Sequence, residues 1–210
     1  MWLSNGMGVR MTTIDDGNDR FYRDNAAAYA GRTRRTPAAR LDKFLARLNP
    51  GASVLELGCG GGQDSAYMMA RGFDVTPSDG SPEMAAEAAR LLGRPVEVIR
   101  FEELCWRERF DGIWAEACLL HVPRTALPAV LARILLALKV GGVLQASFKA
   151  GDIEGHDAFG RYYNYPSRDW LRQQFEATRW VGVEFGETDG GGYDGKPTRW
   201  LHAAAVKPGN

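Results

Sequence analysis

The stretch Val54-Leu55-Glu56-Leu57-Gly58-Cys59-Gly60-Gly61-Gly62 sets the fold. Ser53–Leu57 is a short apolar run, which predicts a buried strand, and glycines follow it at once. Glycines take side chains out of the turn, so the backbone can approach a ligand closely. Gln63–Arg71 then reads as a helix closed by Gly72, and its N-terminus offers free N–H groups and partial positive charge. The spacing is Glu-x-Gly-x-Gly-x-Gly, from Glu56 to Gly62. The nicotinamide fingerprint GxGxxG/A would need a small residue where Gln63 stands, which disfavours that class of oxidoreductase.

Outward from this loop, strand and helix alternate. Asn18–Ala30 reads as a helix, and Thr36-Pro37 opens a second, with Thr36 as N-cap and Pro37 at the first helical position. Leu41, Phe44, Leu45 and Leu48 give that helix one apolar face. Strands are expected at Phe73–Thr76, Val96–Ile99, Phe110–Ala115 and Val143–Phe148. Helices are expected from Ser81-Pro82 to Gly93 and over Pro123–Leu138. A polar, aromatic-rich stretch runs to Pro166, followed by the helix Ser167–Phe175 and the strands Trp180–Phe185 and Arg199–Val206. The last two strands have no helix between them and should form an antiparallel hairpin across a long loop, Gly186–Thr198. Pro77, late in the second strand, must sit where no ladder N–H is required. The fold class is α/β, with helices on both faces of a mostly parallel sheet. In such a sheet the ligand sits beyond the carboxyl ends of the strands.

Composition narrows the function. Lys and Arg number 26 and Asp and Glu 26, so no basic surplus suggests a nucleic-acid or membrane-surface binder. The three cysteines, Cys59, Cys105 and Cys118, form no CxxC pair, which argues against a disulfide framework or zinc knuckle and for the cytoplasm. Three histidines show no metal-ligand spacing, and no metal is expected. No apolar run is long enough to span a membrane, and the N-terminus has no signal-peptide core. Met1, Met7 and Met11 are each possible starts. Residues 1–17 are expected to be a disordered tail and 18–207 one domain, with helices 18–48 capping the ligand face.

Four segments in order resemble the class I S-adenosylmethionine-dependent methyltransferases, over about residues 20–206. They are VLELGCGGG, DVTPSDGSPEM, IRFEEL, and FDGIWAEACLLHVP followed by LKVGGVL. The segment SFKAG…GRYYNY…W is similar to one in small bacterial tellurite-resistance-type and small-molecule methyltransferases. The resemblance implies a Rossmann-like three-layer sandwich with seven strands, mostly parallel, the last antiparallel. It implies S-adenosyl-L-methionine as cofactor. Asp79, beside Gly80, would hold the ribose hydroxyls, with Met84 near the adenine, Phe101 flanking it and Glu102 on its exocyclic amine. Glu56, Gly58, Cys59, Gly60 and Gly62 would line the first loop. Glu116 would close the strand end, and Tyr29 with Arg32 would fold over the cofactor, Arg32 toward its methionine carboxylate.

Methyl transfer from a sulfonium is an in-line displacement, so the protein mainly supplies proximity and alignment. Thiolates and other soft nucleophiles need little more, whereas an oxygen or nitrogen nucleophile usually needs a base. His121, after the fourth strand, is the candidate base. Tyr22, Lys149, Arg161 and Tyr162 are the candidate acceptor-site residues. Lys149 and Arg161 suit an anionic acceptor, and Arg32, Lys149 and Arg161 could gather positive charge at one mouth. The basic run Arg32, Arg34, Arg35 reads better as a solvated face. Cys59 is read as a small loop residue, not a nucleophile, and Trp200 and His202 as core. The expected activity is methylation of a small molecule, anionic or soft, by a monomer or weak homodimer without nucleic-acid or membrane partners. The alternative is a non-catalytic sensor or complex subunit that binds the same cofactor. The catalytic tetrapeptide of nucleic-acid methyltransferases is absent where the chain reads Glu116-Ala117-Cys118-Leu119.

Overall fold

The computed structural model describes residues 16–32 and 36–209. Most of the expected tail, the three candidate start methionines, and Arg34 and Arg35 of the basic run lie outside the described residues. The chain starts with α1 (Asp16–Gly31) and α2 (Ala38–Leu45). Alternating elements follow: β1 (Ser53–Leu57), α3 (Gln63–Met69), β2 (Asp74–Asp79), α4 (Pro82–Leu92), β3 (Glu97–Val98) and β4 (Phe110–Ala115). Then come α5 (Leu127–Ala137), β5 (Leu138–Lys149), β6 (Gly155–His156), β7 (Tyr162–Tyr163), α6 (Arg168–Ala177), β8 (Val181–Gly191) and β9 (Pro197–Val206). Seven strands form one sheet in the order β3-β2-β1-β4-β5-β9-β8. The five strands from β3 to β5 pair in parallel, and β9 runs antiparallel to both β5 and β8. This is the expected Rossmann-like sandwich with its last strand reversed.

Strand alternation sorts side chains into two cores. Val54, Val75, Trp114 and Val143 meet Leu41 and Phe44 of α2 and Met68 of α3 on one face. Leu55, Leu57, Ile113, Ala115, Leu144 and Phe148 meet α5 and α6 on the other. Gly112 lets α2 dock, since a Cβ there would lie 2.7 Å from Phe44 and 2.8 Å from Leu48. Beneath the glycine loop, the Trp114 indole donates to the buried Asp64 carboxylate at 3.1 Å, tying β4 to α3.

Several expected boundaries shift for identifiable reasons. α1 begins at Asp16, so Asp16 and Gly17 belong to the helix and not to a tail. Thr36 does not cap α2; Pro37, with ψ +60, is the last non-helical residue, and no side chain caps the end. α3 ends at Met69, short of the expected Arg71, and Gly72 closes the turn after it at φ +82, with Gly72 N–H on Met69 O and Phe73 N–H on Met68 O. Ser81 caps α4 by accepting from Met84 N–H. α5 starts at Leu127 rather than Pro123, because Pro128 has no N–H to continue an earlier turn. Pro77 lies within β2. Ser78 O accepts from Cys59 on the β1 side and Asp79 O from Ile99 on the β3 side, so Pro77 faces β3 where that strand has not yet begun. The loop expected over 186–198 is mostly strand, for β8 and β9 pair out to Gly191 and Pro197 and leave a tip of 192–196. The hairpin β6–β7 was not expected, because two-residue strands carry no alternation to read.

Candidate active site

The carboxyl ends of β1, β2 and β4, with α1 folded over them, enclose an inner cavity. Its walls include Glu56, Gly58, Cys59, Gly60, Asp79, Gly80, Met84, Phe101 and Glu116, with Tyr29 and Arg32 from α1 and its end. The glycine loop is shaped by left-handed backbone at Gly58 (φ +62) and Gly60 (φ +56). Asp79 fixes the loop: one carboxylate oxygen accepts from Gly60 N–H at 3.0 Å and the other from Ser81 N–H at 2.9 Å. A carboxylate has about four lone-pair sites, so it keeps capacity for further donors. Burial raises its pKa to about 6 against the pull of those N–H groups. Glu56 is buried and accepts from the Ser65 hydroxyl. Burial beside Glu56 and Asp79 pushes the Cys59 thiol up, which makes it a poor nucleophile, as expected.

A Cβ on Gly58 would stand 2.5 Å from the Cys118 Cβ, on backbone that disfavours L side chains. Gly58→Ala is therefore expected to cost about 1–3 kcal/mol from overpacking alone, lowering the thermal midpoint by several degrees in a melting experiment. An unchanged midpoint would show that the loop tolerates a side chain.

Between the inner cavity and a wider outer one stands a shared wall of Tyr22, Tyr29, Arg32, Glu116, Ala117 and His121. His121 is buried in the turn Leu119–His121. Its Nδ1 lies 2.6 Å from the Tyr162 carbonyl and its Nε2 2.9 Å from the Tyr22 hydroxyl. A carbonyl only accepts, so Nδ1 carries the proton and Nε2 accepts from Tyr22. Burial lowers the His121 pKa to about 4, so the ring is neutral near pH 7. The same burial pushes Tyr22 up. Asn164 clamps this turn: its side-chain amide donates to Leu119 O and Val122 O, each at 3.0 Å, and its N–H to Leu120 O. At the end of β4, Ala117 takes left-handed backbone (φ +53), and its N–H is held by the Ser147 hydroxyl at 2.8 Å.

The outer cavity measures about 850 Å³, within the roughly 300–1,000 Å³ of small-molecule sites. Lys149 at the end of β5, Arg161, Tyr163 and Trp200 line it, and the β8–β9 tip roofs it. Tyr193 of the tip stacks on Tyr29 with ring centroids 5.2 Å apart and meets Phe21 edge-on at 5.3 Å. Arg40 from α2 makes an ion pair with Glu116 and reaches His202 at 3.3 Å, while the Thr188 hydroxyl reaches the same His202 nitrogen at 2.8 Å.

Thus most of the expected site residues come together, and four require correction. Gly62 does not face the cavity; it starts α3 at φ +84, and a Cβ there would meet Leu92 and Ala88 of α4, so its bareness serves packing. Glu102 does not line the cavity, because its short 3₁₀ turn sends Phe101 inward instead. Tyr162 points away from the outer cavity, its hydroxyl on Glu154 and its ring against His156, and strand parity gives the wall to Tyr163. Arg161 does line the cavity, but Asp157 binds its guanidinium at 2.9 and 2.6 Å, so its charge is compensated. Of the two residues expected in the core, His202 is buried, and Trp200 packs against the core while also lining the outer cavity. Arg40, Tyr193 and Asn164 were missed. Each acts through a partner distant in sequence, which no local pattern signals.

The family model described as a methyltransferase domain matches residues 29–179. The chain belongs to this family, and within it to the class I S-adenosylmethionine-dependent methyltransferases. The ubiquinone biosynthesis O-methyltransferase of Xanthomonas oryzae pv. oryzae is 39% identical over 115 residues, which cover 50% of this chain and 46% of that protein. The match thus spans about half the length of these curated relatives. Among solved structures, the 1,6-didemethyltoxoflavin-N1-methyltransferase of Burkholderia thailandensis, bound to 1,6-didemethyltoxoflavin and S-adenosylhomocysteine, is 25% identical with a TM-score of 0.65. That match covers 92% of this chain and 83% of that one. The phosphoethanolamine N-methyltransferase 2 of Haemonchus contortus, in complex with S-adenosyl-L-methionine, shares the fold at a TM-score of 0.74 and 17% identity, covering 93% and 61% of the two chains.

S-Adenosylmethionine is the family's cofactor, and the inner cavity fits it on two observations. Asp79 presents a carboxylate with spare acceptor capacity for a ribose diol. Arg32 lies with its guanidinium 3.5 Å from the centre of the Tyr29 ring, and its Nη1 is buried without a hydrogen-bond partner among the described residues, which leaves it able to meet a carboxylate. No helix among the described residues is long and apolar enough to cross a membrane.

Proposed function

We propose that the protein methylates a hydroxyl oxygen of a small molecule held in the outer cavity. The cofactor, when bound, supplies the electrophilic methyl group. The observation that carries this reading is the Tyr22–His121 pair on the wall common to both cavities. Tyr22 donates its proton to the His121 lone pair, and its oxygen, which also meets the Tyr29 hydroxyl, has a second lone pair with which to accept one. An acceptor O–H can pass its proton to Tyr22 as Tyr22 passes its own to His121, while the oxygen takes the methyl group. The Tyr162 carbonyl, holding Nδ1–H, steadies the imidazolium that forms. A built proton relay is superfluous for a thiolate or chalcogenide, which arrives deprotonated, so it favours an oxygen acceptor over the soft class. The O-methyltransferase relatives agree with that choice. The relay also weighs against a sensor that only binds the cofactor. The three free cysteines support a cytoplasmic setting.

Incubation with methyl-labelled S-adenosylmethionine and matched phenols and thiols tests this. Label should enter a phenol ether, and Tyr22→Phe should slow that transfer by about 10²-fold or more while S-adenosylhomocysteine still binds. Transfer to thiols only, or phenol transfer unaffected by Tyr22→Phe, would contradict the reading.

A further inference from the structure

We propose that Lys149 recognises a single carboxylate on the acceptor, which makes the substrate a planar hydroxylated monocarboxylate. The inference rests on reading the outer cavity as the acceptor site. Among the described residues four cations border that cavity: Arg32, Arg40, Lys149 and Arg161. Arg40 is paired with Glu116, and Arg161 is held twice by Asp157. Arg32 also faces the inner cavity, where the cofactor's carboxylate is its proposed partner. Lys149 remains. It is 7% exposed, and its ammonium lies 4.3 Å from the centre of the Tyr163 ring. Among the described residues it makes no hydrogen bond or ion pair. Asp194 at the hairpin tip and Asp157 favour the charged form, and Arg161 opposes it, but neither carboxylate makes an ion pair with Lys149. Gly192 leaves room for both charges at the tip, for a Cβ there would lie 2.6 Å from Asp194 Oδ1 and 3.0 Å from Nζ.

A buried ammonium without a direct ion pair is costly, and burial accordingly lowers its proton affinity despite the nearby carboxylates of Asp194 and Asp157. A ring face compensates it only in part. An acceptor carboxylate would complete the pairing. One cation without a direct ion pair, beside two carboxylates, matches a monoanion better than a phosphate dianion. The surrounding rings of Tyr22, Tyr163, Tyr193 and Trp200 suit a flat body.

Calorimetry on the full chain, first loaded with S-adenosylhomocysteine at pH 7, tests this with two pairs of probes. These are 3-hydroxybenzoate against 3-hydroxybenzamide, and 4-hydroxyphenylacetate against 4-hydroxyphenylacetamide. In the unmodified protein at least one carboxylate should bind about tenfold tighter than its amide, a preference that Lys149→Met abolishes and Lys149→Arg largely keeps. Carboxylates that bind no better than their amides in either pair, or a preference that survives in Lys149→Met, would overturn the proposal. So would tighter binding of 3-hydroxyphenyl phosphate than of 3-hydroxybenzoate. The unmodified protein decides the first point even if Lys149→Met fails to fold. Failure of S-adenosylhomocysteine to bind in the loading step would instead overturn the methyl-transfer reading. Binding of it, with label reaching neutral phenols and no carboxylate preference, would overturn the anion proposal alone.

Discussion

His121→Gln is expected to lower methyl transfer by about 10²–10⁴-fold while cofactor affinity stays nearly unchanged. Glutamine can still donate to the Tyr162 carbonyl and accept from Tyr22, so the wall keeps its shape. What it cannot do is take up a proton. The loss therefore isolates the proton-accepting role from the packing role, and it should appear in kcat rather than in the cofactor's KM. The pH profile adds a second check. The working form is neutral imidazole, and burial puts its pKa at about 4. Its contribution to kcat/KM is present above that value and is lost as pH falls through it. An acid limb near 6.5 assigned to His121 would mean that the ring is solvated and the wall open. A His121→Gln enzyme with ordinary turnover would remove the relay from the mechanism.

Asp79→Ala should weaken binding of S-adenosylhomocysteine by about 1–3 kcal/mol, or roughly 5- to 150-fold. The carboxylate does two things at once: it holds Gly60 and Ser81 by their N–H groups, and it turns its remaining lone pairs to the cavity. Ribose hydroxyls need the ionised form as acceptor. The free protein's pKa for this group is about 6. Affinity should therefore be full above that pH and decline as pH falls through it, because binding must then displace a proton. Both limbs belong to the free enzyme and so to kcat/KM, this one near 6 and the His121 limb near 4. Asp79→Asn should flatten the limb near 6. Equal affinity in the Asp79→Ala and unmodified proteins would place the ribose elsewhere.

The glycine loop, its strand and Asp79 were legible because they are local: an apolar run, bare turn positions and a carboxylate one strand later. Ser53–Leu57 and Phe110–Ala115 fall where the apolar pattern put them. The acceptor side was less legible for physical reasons. Tyr162 and Tyr163 differ only in strand parity, and a two-residue strand gives no pattern from which parity can be read. Nothing local in the sequence decides whether Arg161 meets an acceptor or a loop carboxylate, and Asp157, four residues earlier, folds back to bind it. Arg40 and Glu116 are 76 residues apart, and the tip residue Tyr193 meets α1 only because the sheet brings its last hairpin across the cavity mouth. The overall charge of zero conceals this arrangement, in which, among the described residues bordering the outer cavity, Arg40 and Arg161 make direct ion pairs and Lys149 makes none.

The most direct test of this account is a crystal structure with S-adenosylhomocysteine bound. The ribose hydroxyls should lie on the Asp79 carboxylate, and the sulfur should face the Tyr22–His121 wall and open toward the outer cavity. A product bound in the outer cavity, or one whose sulfur points away from Tyr22 and His121, would contradict the two-cavity mechanism.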